Sequence, residues 1–350
     1  MGSRTPKKLH IEPGVEFLKI NDLDVSTILE ISNSVLSGDG FIETGKIHRL
    51  EKSFPFIYLA HIGYADAFEI EYRDHAGNLK RETVEAIESS SLDRGSGMED
   101  NLKLSFPEED IALLRVRQFD DWKVDKKKKK FVKELKSIFN QIDSSRVENL
   151  IIDMRDNLGG YDDFGLLLFS YLYENPIIEF KSKELIINKS EYYKYTKDMS
   201  RLKIAMLKAF STRKINDSRY AIKKDKTLKP SSPSFPQYKG KVYLMIDGGT
   251  YSTGADFASL VKSYQVATFI GEETGGGYYG NTSGDLINFS LPHTKLRLLI
   301  PIIKYITNVK PTIADGRGVP PDYLVYPAIE DLIKGIDTEL QFTLAIIKNK

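Results

Sequence analysis

The sequence predicts an α/β protein with a mainly parallel sheet, preceded by a small α+β unit. Three observations carry this. Near-continuous apolar runs, Asn149-Leu150-Ile151-Ile152-Asp153-Met154 and Val242-Tyr243-Leu244-Met245-Ile246, read as strands buried on both faces. Segments of helical spacing separate such runs. Within residues 9–90, Ala67 to Arg73 instead alternates apolar and charged residues, as a half-buried strand does.

In the first unit, Pro13-Gly14 turns into a strand over 15–20, and helical spacing runs over 25–36 until Ser37-Gly38-Asp39-Gly40 breaks it. Ala67-Phe68-Glu69-Ile70-Glu71-Tyr72-Arg73 alternates as a strand, and Asp74 to Asn78 can turn it into a partner over 79–87. The small polar stretch 89–97 begins a linker, taken as 91–107. From 108 onward strands are expected over 111–116, 149–154, 242–246 and 266–270, and helices over 131–142, 164–173 and 254–264. Residues 181–240 are Tyr- and Lys-rich and read as a partly helical insertion with a loop. The charge run Asp125 to Lys130 reads as the solvated start of a helix.

Composition narrows the function. Fifty Lys and Arg against 49 Asp and Glu leave a charge of +1, so no global field draws the chain to nucleic acid or anionic membrane. No apolar run approaches the ~18 residues of a spanning helix. Without cysteine there is no disulfide, thiolate metal site or cysteine nucleophile. No His–carboxylate spacing suggests a metal, and no cofactor is expected. Met1-Gly2-Ser3-Arg4 lacks the apolar stretch of a signal peptide and looks like a cloning scar.

Two segments share a buried strand, a glycine pair and a following helix: Asp153 to Gly160, and Asp247-Gly248-Gly249-Thr250-Tyr251-Ser252-Thr253-Gly254. In a parallel sheet both leave the carboxyl edge, where α/β proteins place ligands. Ser252 would face the positive end of a helix dipole. The N–H of Thr253 and one from Gly159 or Gly160 could bind an oxyanion. Either segment alone is ordinary, since glycine pairs make tight turns and a serine before a helix is usually its N-cap. The pairing of the two points to acyl transfer.

Residues 108–330 resemble the catalytic domain of the tail-specific or C-terminal processing proteases, serine peptidase family 41. That group includes the tricorn core protease and the interphotoreceptor retinoid-binding protein. Four stretches carry the likeness: Asn149 to Gly160, Gly249 to Phe257, Gly271-Glu272-Glu273-Thr274-Gly275-Gly276, and Gly318-Val319-Pro320-Pro321-Asp322. The resemblance implies a ClpP/crotonase-like core over 108–350 and a degenerate PDZ-like domain over 9–90. It further implies Ser252 as nucleophile, an oxyanion hole from Thr253 with Gly159 or Gly160, and a peptide or protein substrate. Asp153, Arg155 and Asn157 would hold the first loop, and Glu272 and Thr274 would brace the region. Location outside the cytoplasm, in periplasm or at a cell surface, follows from the family.

The sequence also departs from the pattern. Processing proteases carry a general-base lysine 25 residues after the serine, and Gly277 stands there. The tricorn-like branch uses a histidine and an acid instead. Asp315 occupies the acid's place, three residues before Gly318. His10, His48, His61, His75 and His293 have no context linking them to Ser252, so the base is expected upstream of this chain. Without it the chain would be a catalytically impaired homologue that binds peptide or a hydrophobic ligand. Crotonase-type acyl-CoA chemistry is a third reading, from the crotonase-like phrase around Ser252. The G-x-G-x-x-G spelling at Gly275 to Gly280 precedes a strand rather than a helix, which argues against a nucleotide site.

Overall fold

The computed structural model describes residues 11–88, 100–120, 129–186, 195–196, 211–284 and 286–349. The tag-like start, the polar stretch 89–97 and the charge run as far as residue 128 lie outside the described residues. Contacts divide the chain into two compact units. One comprises residues 1–38, 46–99 and 325–350, the other residues 39–45 and 100–324.

The first unit opens with β1 (Glu16–Ile20), β2 (Leu23–Asp24) and α1 (Val25–Val35). Next come α2 (Thr44–His61), β3 (Ala67–Arg73) and β4 (Leu79–Glu85). The strands form an antiparallel sheet in the order β2-β1-β3-β4. Ile20, Ile28 and Tyr58 form its small core. Helix α2 was not expected. It keeps Pro55 inside, where proline removes a backbone donor and normally ends a helix.

The second unit carries the larger sheet. β5 (Leu102–Glu108) pairs antiparallel with β6 (Ile111–Val116), so a sheet strand starts within the stretch read as linker. After α3 (Lys129–Ser145) come β7 (Asn149–Asp153) and α4 (Asp162–Ser170). β8 (Phe180–Ile186), β9 (Thr212–Lys214) and β10 (Arg219–Ile222) follow. The described part of the 181–240 insertion thus contains these strands and a short 3-10 turn at Lys226–Leu228. Then come β11 (Lys241–Ile246), α5 (Thr253–Ser263) and β12 (Thr268–Gly271). β13 (Leu286–Ser290), β14 (Arg297–Pro301), β15 (Ile303–Thr307) and β16 (Tyr323–Leu324) complete the unit. The last helices, α6 (Ile329–Lys334) and α7 (Thr338–Lys348), group with the first unit.

The large sheet runs β16-β12-β11-β7-β6-β5 and is parallel except at β5. Asp153 lies opposite Met245 on one side and Arg115 on the other. The ends of β7 and β11 are thus level, and the loops after them leave the same sheet edge. A second sheet, β15-β8-β10-β9, packs around Phe180, Leu185 and Tyr305.

An aromatic cluster pins the helices to the large sheet. Phe131 stacks on Phe164 with ring centroids 4.1 Å apart, and Phe119 lies against both Phe131 and Phe257. Phe257, 1% exposed, also meets Phe169 edge-on and so fixes α5. Phe257→Ala should lower the unfolding free energy by about 3–5 kcal/mol, read from the denaturant midpoint. A loss under about 1 kcal/mol would show that α5 does not depend on this contact.

Candidate active site

Asn157 organises the first loop. It is fully buried, and its Oδ1 accepts from Gly159 N–H at 2.8 Å. Its Nδ2 donates to the Val116 carbonyl at 2.7 Å, and its own carbonyl accepts from Tyr251 N–H at 2.9 Å. One side chain and its backbone thus join the end of β6, the loop after β7 and the loop after β11.

Asp153 and Arg155 brace the start of the same loop. Asp153 is 2% exposed and sits between two guanidinium groups, Arg115 at 2.9 Å and Arg155 at 2.9 Å. In the second loop Asp247 accepts from the N–H groups of Asp156 and Gly249, at 3.1 and 3.0 Å. Thr250 Oγ1 donates to the Met154 carbonyl at 3.0 Å.

These ties bring Ser252 against the glycine pair. A Cβ built on Gly159 would stand 2.6 Å from Ser252 Cβ, 3.0 Å from its Oγ and 2.9 Å from Thr253 N. Gly159 has φ +99°, a conformation side chains rarely adopt, so position and shape both call for glycine. Thr253 Oγ1 lies 3.0 Å from the Gly160 carbonyl and 3.2 Å from Asp162 Oδ1.

Ser252 stands at the N-cap of α5 but does not cap it. Its side chain makes no capping bond, and its backbone takes φ 50° and ψ −129°. Such a conformation costs about 1–3 kcal/mol and persists only where its surroundings impose it. The hydroxyl is partly exposed and lies 3.1 Å from Ser283 Oγ.

The sequence leaves the first loop's oxyanion donor open between Gly159 and Gly160. Gly159 N–H is turned away to Asn157 Oδ1 and so cannot serve as the oxyanion donor. The N–H groups of Gly160 and Thr253 take no acceptor among the described residues.

Glu272 N–H bonds the Ile246 carbonyl at 2.9 Å. Thr274 is fully buried. Its Oγ1 accepts from Val319 N–H at 2.8 Å and donates to the Gly276 carbonyl at 2.8 Å, joining the glycine-rich stretch to the closing motif. Glu273, which sequence reasoning did not single out, accepts from Gly318 N–H at 2.7 Å and pairs with Arg317. Two adjacent glutamates gave no sign of which one would turn inward.

Gly277 forms a bridge to Gly318, so no lysine side chain occupies that place. Asp315 is exposed in the turn that Arg317 N–H closes on the Ala314 carbonyl. His293 is exposed in the β13–β14 connection, and His10 lies outside the described residues. His48 and His61 are on α2, and His75 follows β3.

A buried acid lies under the nucleophile loop. Asp256, 1% exposed, accepts from Thr307 Oγ1 at 3.0 Å and from Asn281 Nδ2 at 2.9 Å. Burial, and then the neighbouring Asp162, push its carboxyl up to about 8. Burial likewise raises Glu179 well above the usual carboxylate range. Lys183 bridges Asp162 and Asp225, both at 2.9 Å. Burial alone would lower its pKa, but the two carboxylates hold it above the usual value, so its charge is retained.

A strained serine beside a glycine loop, at the carboxyl edge of a mostly parallel sheet, is the arrangement of a serine hydrolase. The family model for peptidase family S41 matches residues 110–325, and the chain belongs to that family of serine peptidases. Among solved structures, mature CPAF in complex with lactacystin is similar over 98% of this chain and 78% of its own, at 14% identity and TM-score 0.61. A second structure of mature CPAF gives 95%, 75%, 14% and 0.58. The photosystem II D1 C-terminal processing protease matches 93% of this chain and 68% of its own, at 13% identity and TM-score 0.40.

The Asp256 shift sets a pH dependence of stability. A carboxyl with a raised folded pKa holds its proton more tightly in the folded state. Its contribution is complete below pH ~4, the unfolded value, and is lost as pH rises to about 8. Asp256→Asn cannot ionise. Its unfolding free energy should therefore improve relative to wild type between pH 5 and pH 8, by up to ~1.4 kcal/mol per pH unit in denaturant titrations. A difference independent of pH would show that Asp256 ionises normally.

Proposed function

We propose that the chain is an endopeptidase of the tail-specific type in which Ser252 attacks the scissile carbonyl. The observation that carries this reading is the meeting of the two loops, with an uncapped Ser252 hydroxyl within 3.0 Å of the space above Gly159. In this mechanism the carbonyl oxygen turns into the pocket between the N–H groups of Gly160 and Thr253. Both donors are fixed before the substrate arrives, so they need no reorganisation as charge develops. The carbonyl's negative charge also meets the N-terminal end of α5. Asp315 serves as the acid that orients the base.

The wider assignment follows the same resemblance. Residues 108–350 are read as a ClpP/crotonase-like domain with the 181–240 insertion. Residues 9–90 are read as a PDZ-like domain, a reading that the β1–β4 sheet and its two helices suit. The substrate is a peptide or protein, and the site of action lies outside the cytoplasm. Among the described residues, no helix is long and apolar enough to cross a membrane.

A fluorophosphonate probe tests the nucleophile. Wild type should take one label, and Ser252→Ala should take none. Label retained in Ser252→Ala, or absent from wild type, overturns the reading. Gly159→Ala should lower peptide cleavage by roughly a hundredfold, because its Cβ would enter the space of Ser252 and misplace the hydroxyl. The base is sought in the same assay. Loss of labelling in one of His48→Ala, His61→Ala and His75→Ala identifies the base. Labelling in all three puts it elsewhere.

A further inference from the structure

The hydrogen bonds beyond Ser252 form a chain that the proposed mechanism does not use. Ser283 Oγ lies 3.1 Å from Ser252 Oγ and 2.8 Å from Asn281 Oδ1. The Ser283 N–H also donates to Asn281 Oδ1, at 3.0 Å. Asn281 Nδ2 donates to Asp256 Oδ2 at 2.9 Å, and the Asn281 carbonyl accepts from Tyr305 N–H at 2.9 Å. Thr307 holds the other oxygen of Asp256. An unbroken path of hydrogen bonds therefore joins a fully buried carboxyl to the partly exposed serine hydroxyl.

We infer that Ser283 is a positioning residue for Ser252, aimed by Asn281, which is in turn anchored on Asp256. The inference rests on the reading of Ser252 as nucleophile. Proton accounting gives it content. A serine hydroxyl has one proton and two lone pairs. Ser283 has two oxygen neighbours, so it can donate to only one at a time. Its O–H reaches Ser252 Oγ at 3.1 Å or Asn281 Oδ1 at 2.8 Å in turn, and donation to Ser252 holds that oxygen while leaving the Ser252 proton to the base. When Ser252 gives its proton to the base, the Ser283 O–H turns from the amide oxygen to the developing alkoxide. No proton leaves Ser283, and one hydrogen bond replaces another. The second bond is the stronger, because its acceptor carries charge.

Asn281 must present its oxygen to Ser283 for this to work. The Ser283 N–H enforces that orientation, because it donates to Asn281 Oδ1 at 3.0 Å and so leaves Nδ2 to face Asp256. Thr307 ends β15 and Asn281 lies in the loop before β13, so two separate segments hold the carboxyl of α5. Asp162, Glu179 and Lys183 are the charged or titratable groups that act on the same carboxyl from α4 and β8 and the loop before it.

Ser283 also closes a local turn on Asn281 through its backbone N–H, which gives a purely structural alternative. Ser283→Ala separates the two roles, because it keeps that N–H and removes only the hydroxyl. With the fluorophosphonate probe and a cleaved peptide, Ser283→Ala should label Ser252 more slowly and lower kcat, each on the order of tenfold, with KM unchanged. Ser283→Thr should restore the rate. The double variant Ser283→Ala/Asn281→Ala should lose no more than the worse single variant, since the two act as one unit. Wild-type labelling in Ser283→Ala, or losses that multiply in the double variant, overturn the relay and leave the nucleophile standing. A wild type that takes no label overturns both.

Discussion

The site depends on one buried amide. Besides its own N–H, which bonds the Met154 carbonyl, three polar groups of Asn157 each reach a different segment: the Gly159 N–H, the Val116 carbonyl and the Tyr251 N–H. No water competes for them, because the residue is fully buried. A buried polar group left unpaired costs roughly 1–3 kcal/mol, so all three segments must be in place together. The tie also explains Gly254. A Cβ there would come within 2.9 Å of both Asn157 oxygens, and α5 could not begin so close to the first loop.

The conformation of Ser252 is held from both sides of that tie. Tyr251 is bonded to Asn157 before it, and Thr253 is bonded to Gly160 or Asp162 after it. A residue at φ 50° and ψ −129° would relax if either neighbour were loose. The usual relaxed state is an N-cap, with the serine oxygen bonded to the helix it starts. Withholding that bond leaves the hydroxyl directed at solvent and Ser283. The packing of Phe257 under α5 thus supports the geometry of Ser252 although it touches nothing polar.

Much of this was legible in the sequence. The unbroken apolar runs at β7 and β11 fixed a parallel pair, and parallel pairing sets their loops side by side whatever the rest of the chain does. Other features were hidden for physical reasons. Pro55 interrupts the pattern of α2, and only tertiary packing keeps that helix continuous. β5 has Pro107 near its end and most of its side chains exposed, so its alternation is weak. Its place in the sheet comes from pairing with β6, which is a non-local fact. The oxyanion donor was ambiguous because adjacent glycines look alike in sequence. In the proposed mechanism the choice falls to Gly160, because Asn157 takes the Gly159 N–H. Ser283 could not have been found at all, since no period or motif connects it to a serine 31 residues away.

The charges below the loop show how burial can serve such a site. Asp256 lies one helical turn into α5, with its N–H bonded to the Ser252 carbonyl at 2.8 Å. An ionised carboxylate there would oppose negative charge on a substrate oxygen held at the start of the same helix, and would cancel part of the helix dipole. Burial raises its pKa to about 8, which keeps it largely uncharged at neutral pH. Glu179 is displaced in the same direction by the same cause. The positive charge of Lys183 is committed to Asp162 and Asp225 and is not presented to the loop. With those terms removed, the nearest polar influences on the proposed oxyanion are the fixed N–H dipoles of Gly160, Thr253 and α5. These act over short range in a partly dehydrated space, where a dipole is worth more than a distant charge screened by water. The buried acids are then compatible with an anionic intermediate because the fold withholds their charge.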